Sequence, residues 1–268
     1  MEGYFENKVA VVTGATSGLG LGLTEHLLAR GARAVFMGDI KEDNLEKESK
    51  RLNQQYPGRI HPLLTDVTKL EQVQGLIEAA RSFEGHLDFV FNNAGMGMTL
   101  PTEQITFDIW RFIVDLNLMG VVHGTYTAIP IMRKQGSGHI VNTGSVAGLF
   151  PVPYQALYAA TKGAIIRMTE SLQYELETEG LTFSVFCPGN VRTAIFGDMT
   201  PPPDSISVDE AVDYVFGELE KKEMVIILPE NFRQFDALFR QKREEFDRMA
   251  RQIAAERREN YRTKGTYF

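Results

Sequence analysis

Cysteine is nearly absent from this chain, which has one, Cys187, in 268 residues. A lone thiol cannot form an internal disulfide, so nothing predicts an oxidising compartment. Because Cys187 lies in an apolar run, we expect a buried, inert thiol and not a nucleophile.

Long apolar runs and targeting segments are also missing. No uncharged apolar stretch approaches the roughly 18 residues that a membrane span needs. The short acidic segment Met1 to Lys8 has no basic region followed by an apolar one, so no signal peptide is expected. The predicted location is the cytoplasm.

Positive charge is in deficit, with 28 Lys and Arg against 35 Asp and Glu and a net charge of −7. This balance argues against a general nucleic-acid binder, which needs a basic surface. The five histidines are scattered without helical metal-ligand spacing, so no metal site is expected.

Short apolar, β-branched runs alternate along the chain with longer helical patterns. Runs this apolar are typical of strands buried on both faces, which occur in parallel sheets with helical crossovers. The order predicts an α/β fold, a doubly wound Rossmann-type parallel sheet of about seven strands. The predicted strands are Lys8–Thr13, Ala34–Gly38, Ile60–Leu64, Leu87–Phe91, His139–Thr143, Thr182–Phe186 and Met224–Leu228.

The predicted catalytic domain spans residues 1–230, and residues 231–268 form a C-terminal helical extension. Apolar residues with three/four spacing, interrupted at Lys242, give this extension one apolar helical face. That face could dock on a partner subunit, on the chain's own body or on an anionic membrane surface. Its apolar residues are Phe232, Phe235, Phe239, Phe246, Met249 and Ile253.

A glycine-rich turn follows the first strand, with Gly14, Ser17, Gly18, Leu19 and Gly20 at the start of a helix. Glycines let the backbone approach a pyrophosphate, and the helix N-terminus offers N–H donors and partial positive charge. In this strand-to-helix context the pattern predicts a dinucleotide site.

Asp39 closes the second strand about 20 residues further on, where a carboxylate can bind the adenine ribose hydroxyls. It would repel the 2′-phosphate of NADP, and no Arg or Lys in the loop would hold that phosphate. NAD is therefore the expected cofactor, although Lys41 nearby weakens the preference.

Two further strand ends carry candidate cofactor residues, because ligands bind at the carboxyl ends of strands in open α/β sheets. Asp66 could contact adenine or cap a helix, and Asn92 could fix the strand-end backbone. The predicted contacts at these ends are Asp66, Val67, Asn93, Ala94 and Gly95.

Tyr158 and Lys162 lie four residues apart on a predicted helix, so the phenol and the ammonium share one face. Lowering a tyrosine pKa by roughly 3 units takes about 4 kcal/mol. One cation at about 4 Å supplies about that much at an effective dielectric near 20. Ser145, after the fifth strand, completes a candidate catalytic centre.

These motifs together resemble the short-chain dehydrogenase/reductase family, roughly over residues 8 to 228. The motifs are Thr13–Gly20, Asn92–Gly95, Asn117, Ser145, Tyr158, Lys162 and Pro188-Gly189.

The resemblance implies a role for each matching residue. Tyr158 would be the general acid or base, Ser145 would stabilise the substrate oxygen, and Lys162 would lower the Tyr158 pKa and hold the nicotinamide ribose. Asn117 would hold a proton-relay water. The carboxamide end of the cofactor would meet Pro188, Gly189, Val191 and Thr193.

An apolar substrate pocket is expected beside these residues, which favours a hydrophobic secondary alcohol or ketone, such as a hydroxysteroid-like molecule. Within the enzyme class, a 3-oxoacyl-thioester reductase is the alternative. A non-catalytic NAD-sensing protein is the alternative of another class, and a homo-oligomer is expected. The predicted pocket residues are Met98, Leu149, Val152, Tyr154, Phe196 and Met199.

Overall fold

One parallel sheet organises the molecule, as the alternating pattern predicts. The computed structural model describes residues 3–193, 202, 204–265 and 267. Within them seven strands follow the order β3-β2-β1-β4-β5-β6-β7, so the doubly wound fold is confirmed. The strands are β1 Val9–Thr13, β2 Ala34–Asp39, β3 Ile60–Leu64, β4 Phe89–Asn92, β5 Gly138–Thr143, β6 Leu181–Pro188 and β7 Val225–Leu228.

The central strand β1 shows why the runs are apolar throughout, since all five of its residues are buried. Successive side chains point to opposite faces of the sheet. Val12 belongs to the core on one face with Leu23 and Phe216, whereas Val11 packs on the other face with Ile77. Both faces are therefore covered, as a parallel sheet requires.

Helices form the two covering layers. The helix α8 begins with a capping box in which Ser207 and Glu210 satisfy each other's backbone N–H groups. The helices are α1 Gly18–Ala29, α2 Glu42–Gln55, α3 Leu70–Glu84, α4 Phe107–Ile113, α5 Gly120–Gln135, α6 Val146–Leu149, α7 Ala156–Leu176, α8 Val208–Glu220, α9 Asn231–Gln241 and α10 Arg243–Lys264.

A π-helical segment interrupts the long helical stretch Phe107–Gln135. The segment Val114–Met119 lies between α4 and α5 and contains Asn117. The stretch Phe107–Gln135 is long and apolar enough to cross a membrane by composition alone. It instead packs against α3, β4 and β5, which places it in a helical layer of the fold.

The C-terminal segment contacts the chain's own body, one of the three partners left open above. Its apolar pattern is split where predicted, because α9 ends and α10 begins around Lys242. Phe246 of α10 is 2% exposed and belongs to the same core cluster as Phe150 and Ile165. The segment is thus packed onto the region that follows β5.

Candidate active site

The glycine-rich turn lies at the carboxyl end of β1. Gly14 has φ +65°, a conformation that favours glycine, and a Cβ there would lie 2.9 Å from the Ala94 Cα. A Cβ at Gly20 would collide with the Gly14 carbonyl oxygen. Ser17 caps α1 in an extended conformation, so the N–H groups of the first turn of α1 border this loop. The turn therefore has the geometry that a pyrophosphate needs.

Asn93 fixes the strand-end backbone, the role that the sequence suggested for Asn92. The Asn93 Nδ2 donates to the Thr13 carbonyl oxygen at 3.0 Å. The backbone N–H groups of Asn93 and Ala94 donate to the Thr13 hydroxyl at 3.0 and 3.1 Å. Asn92 points into the core instead, where its Nδ2 donates to Asn142 Oδ1 at 2.9 Å.

Asp39 is 8% exposed and lies at the carboxyl end of β2, against the glycine-rich turn. Its Oδ2 accepts from the Thr16 backbone N–H at 3.1 Å and from the Thr16 hydroxyl at 2.8 Å. Its Oδ1 accepts from the Lys41 backbone N–H at 3.0 Å. The carboxylate thus orders the loop, and each of its oxygens can accept more than one hydrogen bond.

At the end of β3, Asp66 orders a turn before α3. Its Oδ1 accepts from the Thr68 backbone N–H at 2.9 Å and from the Thr68 hydroxyl at 2.8 Å. The N-cap position of α3 belongs to Lys69, so Asp66 does not cap this helix, and its contact with adenine stays a prediction. The neighbouring Val67 packs against Gly120 at the start of α5.

The Tyr–Lys–Ser group comes together as its spacing predicts. Tyr158 and Lys162 share one face of α7, with the Lys162 Nζ 5.7 Å from the centre of the Tyr158 ring. Tyr158 and Ser145 line the same cavity, and the side chain of Ser145 lowers the pKa of Tyr158. Lys162 is 3% exposed, and its Nζ donates to the Thr143 carbonyl oxygen at 2.7 Å.

The pKa of Tyr158 differs in direction from the expected one. Burial raises this pKa, while the side chain of Ser145 lowers it by less. Burial also lowers the pKa of Lys162 to about 8. Desolvation disfavours the charged form of each group, and it is the largest cause of both shifts.

Asn117 is held in place by the π-helical segment and forms a reciprocal amide pair with Met96. Its Oδ1 accepts from the Met96 N–H and its Nδ2 donates to the Met96 carbonyl, both at 2.9 Å. A Cβ at Gly95 would lie 3.0 Å from Asn117 Oδ1 and 3.8 Å from Lys162 Nζ, so the three residues are neighbours. The water-holding role of Asn117 stays a prediction.

One cavity of about 740 Å³ is lined by some of the candidate cofactor and catalytic residues, whereas Asp39, Asn117 and Lys162 are not among its lining residues. Thr193 also lies against Gly18, where a Cβ would contact it at 3.4 Å, so the segment after β6 runs beside the glycine-rich turn. The predicted site residues on the cavity wall are Leu19, Ser145, Tyr158, Pro188, Gly189, Val191 and Thr193.

Only some of the residues predicted for the substrate pocket line the cavity. Met98 and Val152 line the cavity. Leu149 does not: it is 5% exposed and packs in the core cluster next to the wall. Tyr154 packs its ring on Tyr267, with centroids 4.6 Å apart, and it is Tyr267 that faces the cavity. The remaining two, Phe196 and Met199, lie outside the described residues.

A large part of the wall comes from the C-terminal segment, which sequence reasoning did not assign to the pocket. The three/four spacing of its apolar residues was the available signal, but spacing does not tell what a face packs against. The segment's lining residues are Phe232, Phe235, Phe246, Met249, Ala250, Ile253, Arg257, Tyr261, Gly265 and Tyr267.

Two other expectations concern metal binding and Cys187. Across the part of the chain that the structure describes, no group of three His, Cys, Asp or Glu residues could hold a metal ion. Cys187 is fully buried, and burial raises the pKa of its thiol to about 12. The expected burial of Cys187 is confirmed, and the raised pKa favours an unreactive thiol.

Comparison with known proteins agrees with this geometry. A family model described as short chain dehydrogenase matches residues 8–203. An uncharacterized oxidoreductase from Staphylococcus epidermidis is 35% identical over 188 residues, which cover 70% of this chain and 80% of the relative.

Two solved structures share the fold over nearly their whole length. A short-chain dehydrogenase/reductase from Burkholderia phymatum in complex with NAD has a TM-score of 0.81 and 28% identity, covering 91% of this chain and 96% of the other. A short-chain dehydrogenase from Burkholderia cenocepacia in complex with NADP has a TM-score of 0.80 and 28% identity, covering 92% and 98%. Both nicotinamide cofactors thus occur among the relatives.

Proposed function

The chain belongs to the short-chain dehydrogenase family of oxidoreductases, and on that premise we propose that it transfers a hydride between NAD(H) and a hydrophobic secondary alcohol or ketone. One observation carries the proposal. Ser145, Tyr158 and the residues beside the glycine-rich turn all open into a single, mainly apolar cavity. Such a cavity brings a substrate and a dinucleotide to the same phenol.

Acid–base chemistry at the Tyr158 oxygen is the proposed role of the catalytic group. In alcohol oxidation the phenolate accepts the hydroxyl proton, and in ketone reduction the phenol donates it. Ser145, which lines the same cavity as Tyr158, would donate to the substrate oxygen and stabilise its developing charge. The bound nicotinamide supplies the hydride acceptor or donor.

Lys162 is proposed to counter the effect of burial on Tyr158. With a pKa of about 8, most of its amine is protonated at neutral pH. A buried cation on the same helical face stabilises the phenolate more strongly than it would in water. Asn117, which neighbours Lys162 through Gly95, is proposed to hold the water that connects this amine to solvent.

NAD is proposed over NADP because of Asp39. Its carboxylate lies at the end of β2 beside Thr16 and would repel a 2′-phosphate there. We expect kcat/KM to favour NAD over NADP by about tenfold or more, which corresponds to roughly 1.4 kcal/mol. The Asp39→Ser variant should narrow that ratio, and a wild-type preference for NADP would contradict the assignment.

Turnover is tested by following nicotinamide absorbance with a panel of apolar ketones and secondary alcohols. A Tyr158→Phe variant should lose about 10²–10⁴-fold in kcat, the usual contribution of a general acid or base, and should still bind the cofactor. Tyr174→Phe is the matched control, because Tyr174 lies on the same helix and is 70% exposed.

Three outcomes of this panel would count against the proposal. Activity confined to small charged substrates would contradict the apolar pocket. Faster turnover of 3-oxoacyl thioesters with NADPH would favour the thioester reductase. Unchanged biological activity of Tyr158→Phe, with NAD binding retained, would favour the NAD-sensing protein.

A cytoplasmic homo-oligomer is the proposed state of the enzyme. The helix α4 leaves Phe107 83% exposed and Phe112 54% exposed, and exposed apolar side chains that form a patch are typical of a subunit contact. Light scattering coupled to size exclusion should give a mass that is a multiple of the 30.1 kDa chain. A monomeric mass at micromolar concentration would contradict this state.

A further inference from the structure

The helix α10 places one stripe of side chains along the cavity. Its lining residues fall at three- or four-residue intervals, from Phe246 through Met249 and Ile253 to Arg257 and Tyr261. Residues at these intervals lie on one helical face. The stripe therefore follows the cavity over several turns of α10, and the side chain at each turn decides which part of a substrate can lie beside it.

The stripe begins near Ser145. Phe246 is 2% exposed, and the centre of its ring lies 5.8 Å from that of Phe150. It shares a buried cluster with Cys187, whose Sγ would lie 3.0 Å from a Cβ at Gly144. Because Gly144 directly precedes Ser145, this end of the stripe lies close to the proposed reaction centre.

The stripe is apolar as far as Ile253 and polar after it. Ile253 comes seven residues after Phe246, about 10 Å further along the helix axis at 1.5 Å per residue. One turn beyond Ile253, the Arg257 guanidinium donates to the Pro153 carbonyl oxygen at 2.7 Å. An alkyl chain gains free energy when apolar side chains cover it, whereas covering a charged group with that chain costs free energy. The part of the stripe that favours an apolar chain therefore ends at Ile253.

The far end of α10 is held against two loops of the cavity wall. The Tyr261 hydroxyl accepts a hydrogen bond from Gln104 Nε2 at 2.8 Å. The Tyr267 ring packs on both Tyr261 and Tyr154, with ring centroids 4.5 and 4.6 Å apart. These contacts fix the position of the stripe, and with it the place of Ile253 in the cavity.

Ile253 borders the cavity more than the protein core. Met249, one turn earlier, packs against the buried cluster that contains Phe246, whereas Ile253 lies outside that cluster among the described residues. Ile253 is half-buried and lines the cavity. A change in the size of its side chain therefore changes the space in the cavity and leaves the core packing in place.

We propose that Ile253 limits the chain length of the substrate, and that the substrate is an elongated apolar ketone or secondary alcohol whose chain extends along α10 from the reacting carbon. Up to Ile253 each further carbon gains apolar contact, and beyond it the chain meets Arg257. This assignment rests on the proposed function, because it names the substrate class of the same cavity.

A packing role is the competing explanation, in which Ile253 only stabilises the position of α10. The two roles differ in one measurable respect. Loss of packing weakens the binding of all chain lengths alike, whereas a residue that limits the chain changes which length binds best. The test therefore compares ligands that differ only in chain length.

Calorimetry on the full chain with NAD bound measures the affinity of straight-chain 2-alkanones of increasing length. A ketone is already oxidised and cannot transfer a hydride to NAD, so the measurement reports binding alone. Each methylene that contacts the stripe should tighten binding about fourfold, from the transfer free energy of one buried methylene. In the wild type the affinity should stop rising at the length that reaches Ile253.

Substitutions at Ile253 should move this limiting length in opposite directions. Ile253→Ala frees space in the cavity and should extend the limit by about two or three carbons. Ile253→Phe fills space and should shorten it by a similar amount, whereas Ile253→Leu has the same volume and should keep it. Ala255→Phe is the matched control for the added ring, at an exposed position of α10 outside the stripe, and should also keep the limit.

An unchanged limit in Ile253→Ala or Ile253→Phe would overturn the proposal, as would a shift in Ala255→Phe, an affinity that does not depend on chain length, or no binding of any alkanone. Reduction of the same alkanones with NADH should show the same limiting length in kcat/KM. Opposite shifts in binding without any reduction would support the role of Ile253 and remove the proposed reaction. Reduction with no shift would keep the reaction and remove the role of Ile253.

Discussion

The two ends of β5 each hold a buried base. His139, near the amino end, is 2% exposed, and Lys162, which binds the carbonyl of the last residue at the carboxyl end, is 3% exposed. Burial lowers the pKa of both, to about 3 for His139 and to about 8 for Lys162. The two side chains are therefore alike in their burial and in the direction in which burial shifts their pKa.

Their hydrogen-bond partners differ. The Tyr4 hydroxyl and His139 Nδ1 are 3.0 Å apart, and His139 Nε2 lies 2.9 Å from the Ser184 hydroxyl. Since Ser184 donates to the Glu223 carbonyl at 2.7 Å, it accepts from Nε2, and the imidazole is neutral with Nδ1 as the acceptor. The polar side-chain atoms of Tyr4, His139 and Ser184 therefore form hydrogen bonds with one another and with the backbone.

Lys162 lies at the carboxyl end of β5, which is the end beside the cavity. Its ammonium shares a helical face with Tyr158, which lines that cavity. A perturbed pKa therefore does not by itself distinguish a group of the candidate site from a structural one in this molecule. What distinguishes them is whether a neighbouring group can meet a ligand.

Replacing Lys162 should give the largest effect. We expect Lys162→Met to lose at least about 10²-fold in kcat, because the phenolate of Tyr158 loses its cation. The free energy of unfolding at pH 7 should rise by up to about 3 kcal/mol, since a pKa lowered from 10.5 to about 8 means that the fold disfavours the ammonium. Steady-state kinetics and urea unfolding measure both. A Lys162→Met variant that is less stable and fully active would contradict the proposed difference between the two ends of β5.

His139→Leu should show the opposite pattern. It leaves the hydroxyls of Tyr4 and Ser184 without their shared partner, and a buried unsatisfied polar group costs about 1–3 kcal/mol. We expect the free energy of unfolding to fall by about 2–4 kcal/mol. The kcat of the folded protein should stay within about twofold of the wild type, because His139 contacts nothing in the cavity. A large loss of kcat in folded protein would show that the two ends are coupled.

The fold was predictable because its signals are local. Each strand is a short apolar run, and the order of strands and helices decides the sheet. Ser145, Tyr158 and Lys162 were also predictable, since their spacing on α7 and after β5 is visible in the chain. The π-helical segment at Asn117 was not, because the apolar pattern of the surrounding helix continues through it.

The features that the sequence did not predict depend on contacts between residues that are far apart in the chain. The sequence pattern assigns no role to His139 beyond the absence of metal-ligand spacing, and its partners Tyr4 and Ser184 lie 135 and 45 residues away. The apolar face of α9 and α10 was visible, but its position over the cavity depends on where Phe150 and Gly189 lie in the fold. A Cβ at Gly189 would collide with the Phe232 ring, a closeness that no periodicity encodes.

Acid should destabilise the protein through His139 in a defined window. The neutral imidazole is favoured in the folded chain, so between pH 6.5 and about 3 the unfolded chain binds a proton that the folded chain does not. Stability from this group is complete above pH 6.5 and falls with falling pH, by about 2 kcal/mol at pH 5. Urea unfolding at pH 7 and pH 5 measures the loss. His139→Leu should lose less over the same interval, and an identical loss in both proteins would assign it to other groups.

Tyr4→Phe should give the smallest effect of the series. It removes the hydroxyl that hydrogen-bonds with His139 at the amino end of β5. It keeps the ring, which packs edge-on against Phe5 and Phe89. One neutral hydrogen bond contributes about 1 kcal/mol, so the free energy of unfolding should fall by about that amount. The kcat should be unchanged, because Tyr4 lies at the end of the sheet opposite Lys162. A loss as large as that of His139→Leu would mean that the Tyr4 hydroxyl, and not the Ser184 contact, holds the imidazole in its neutral form.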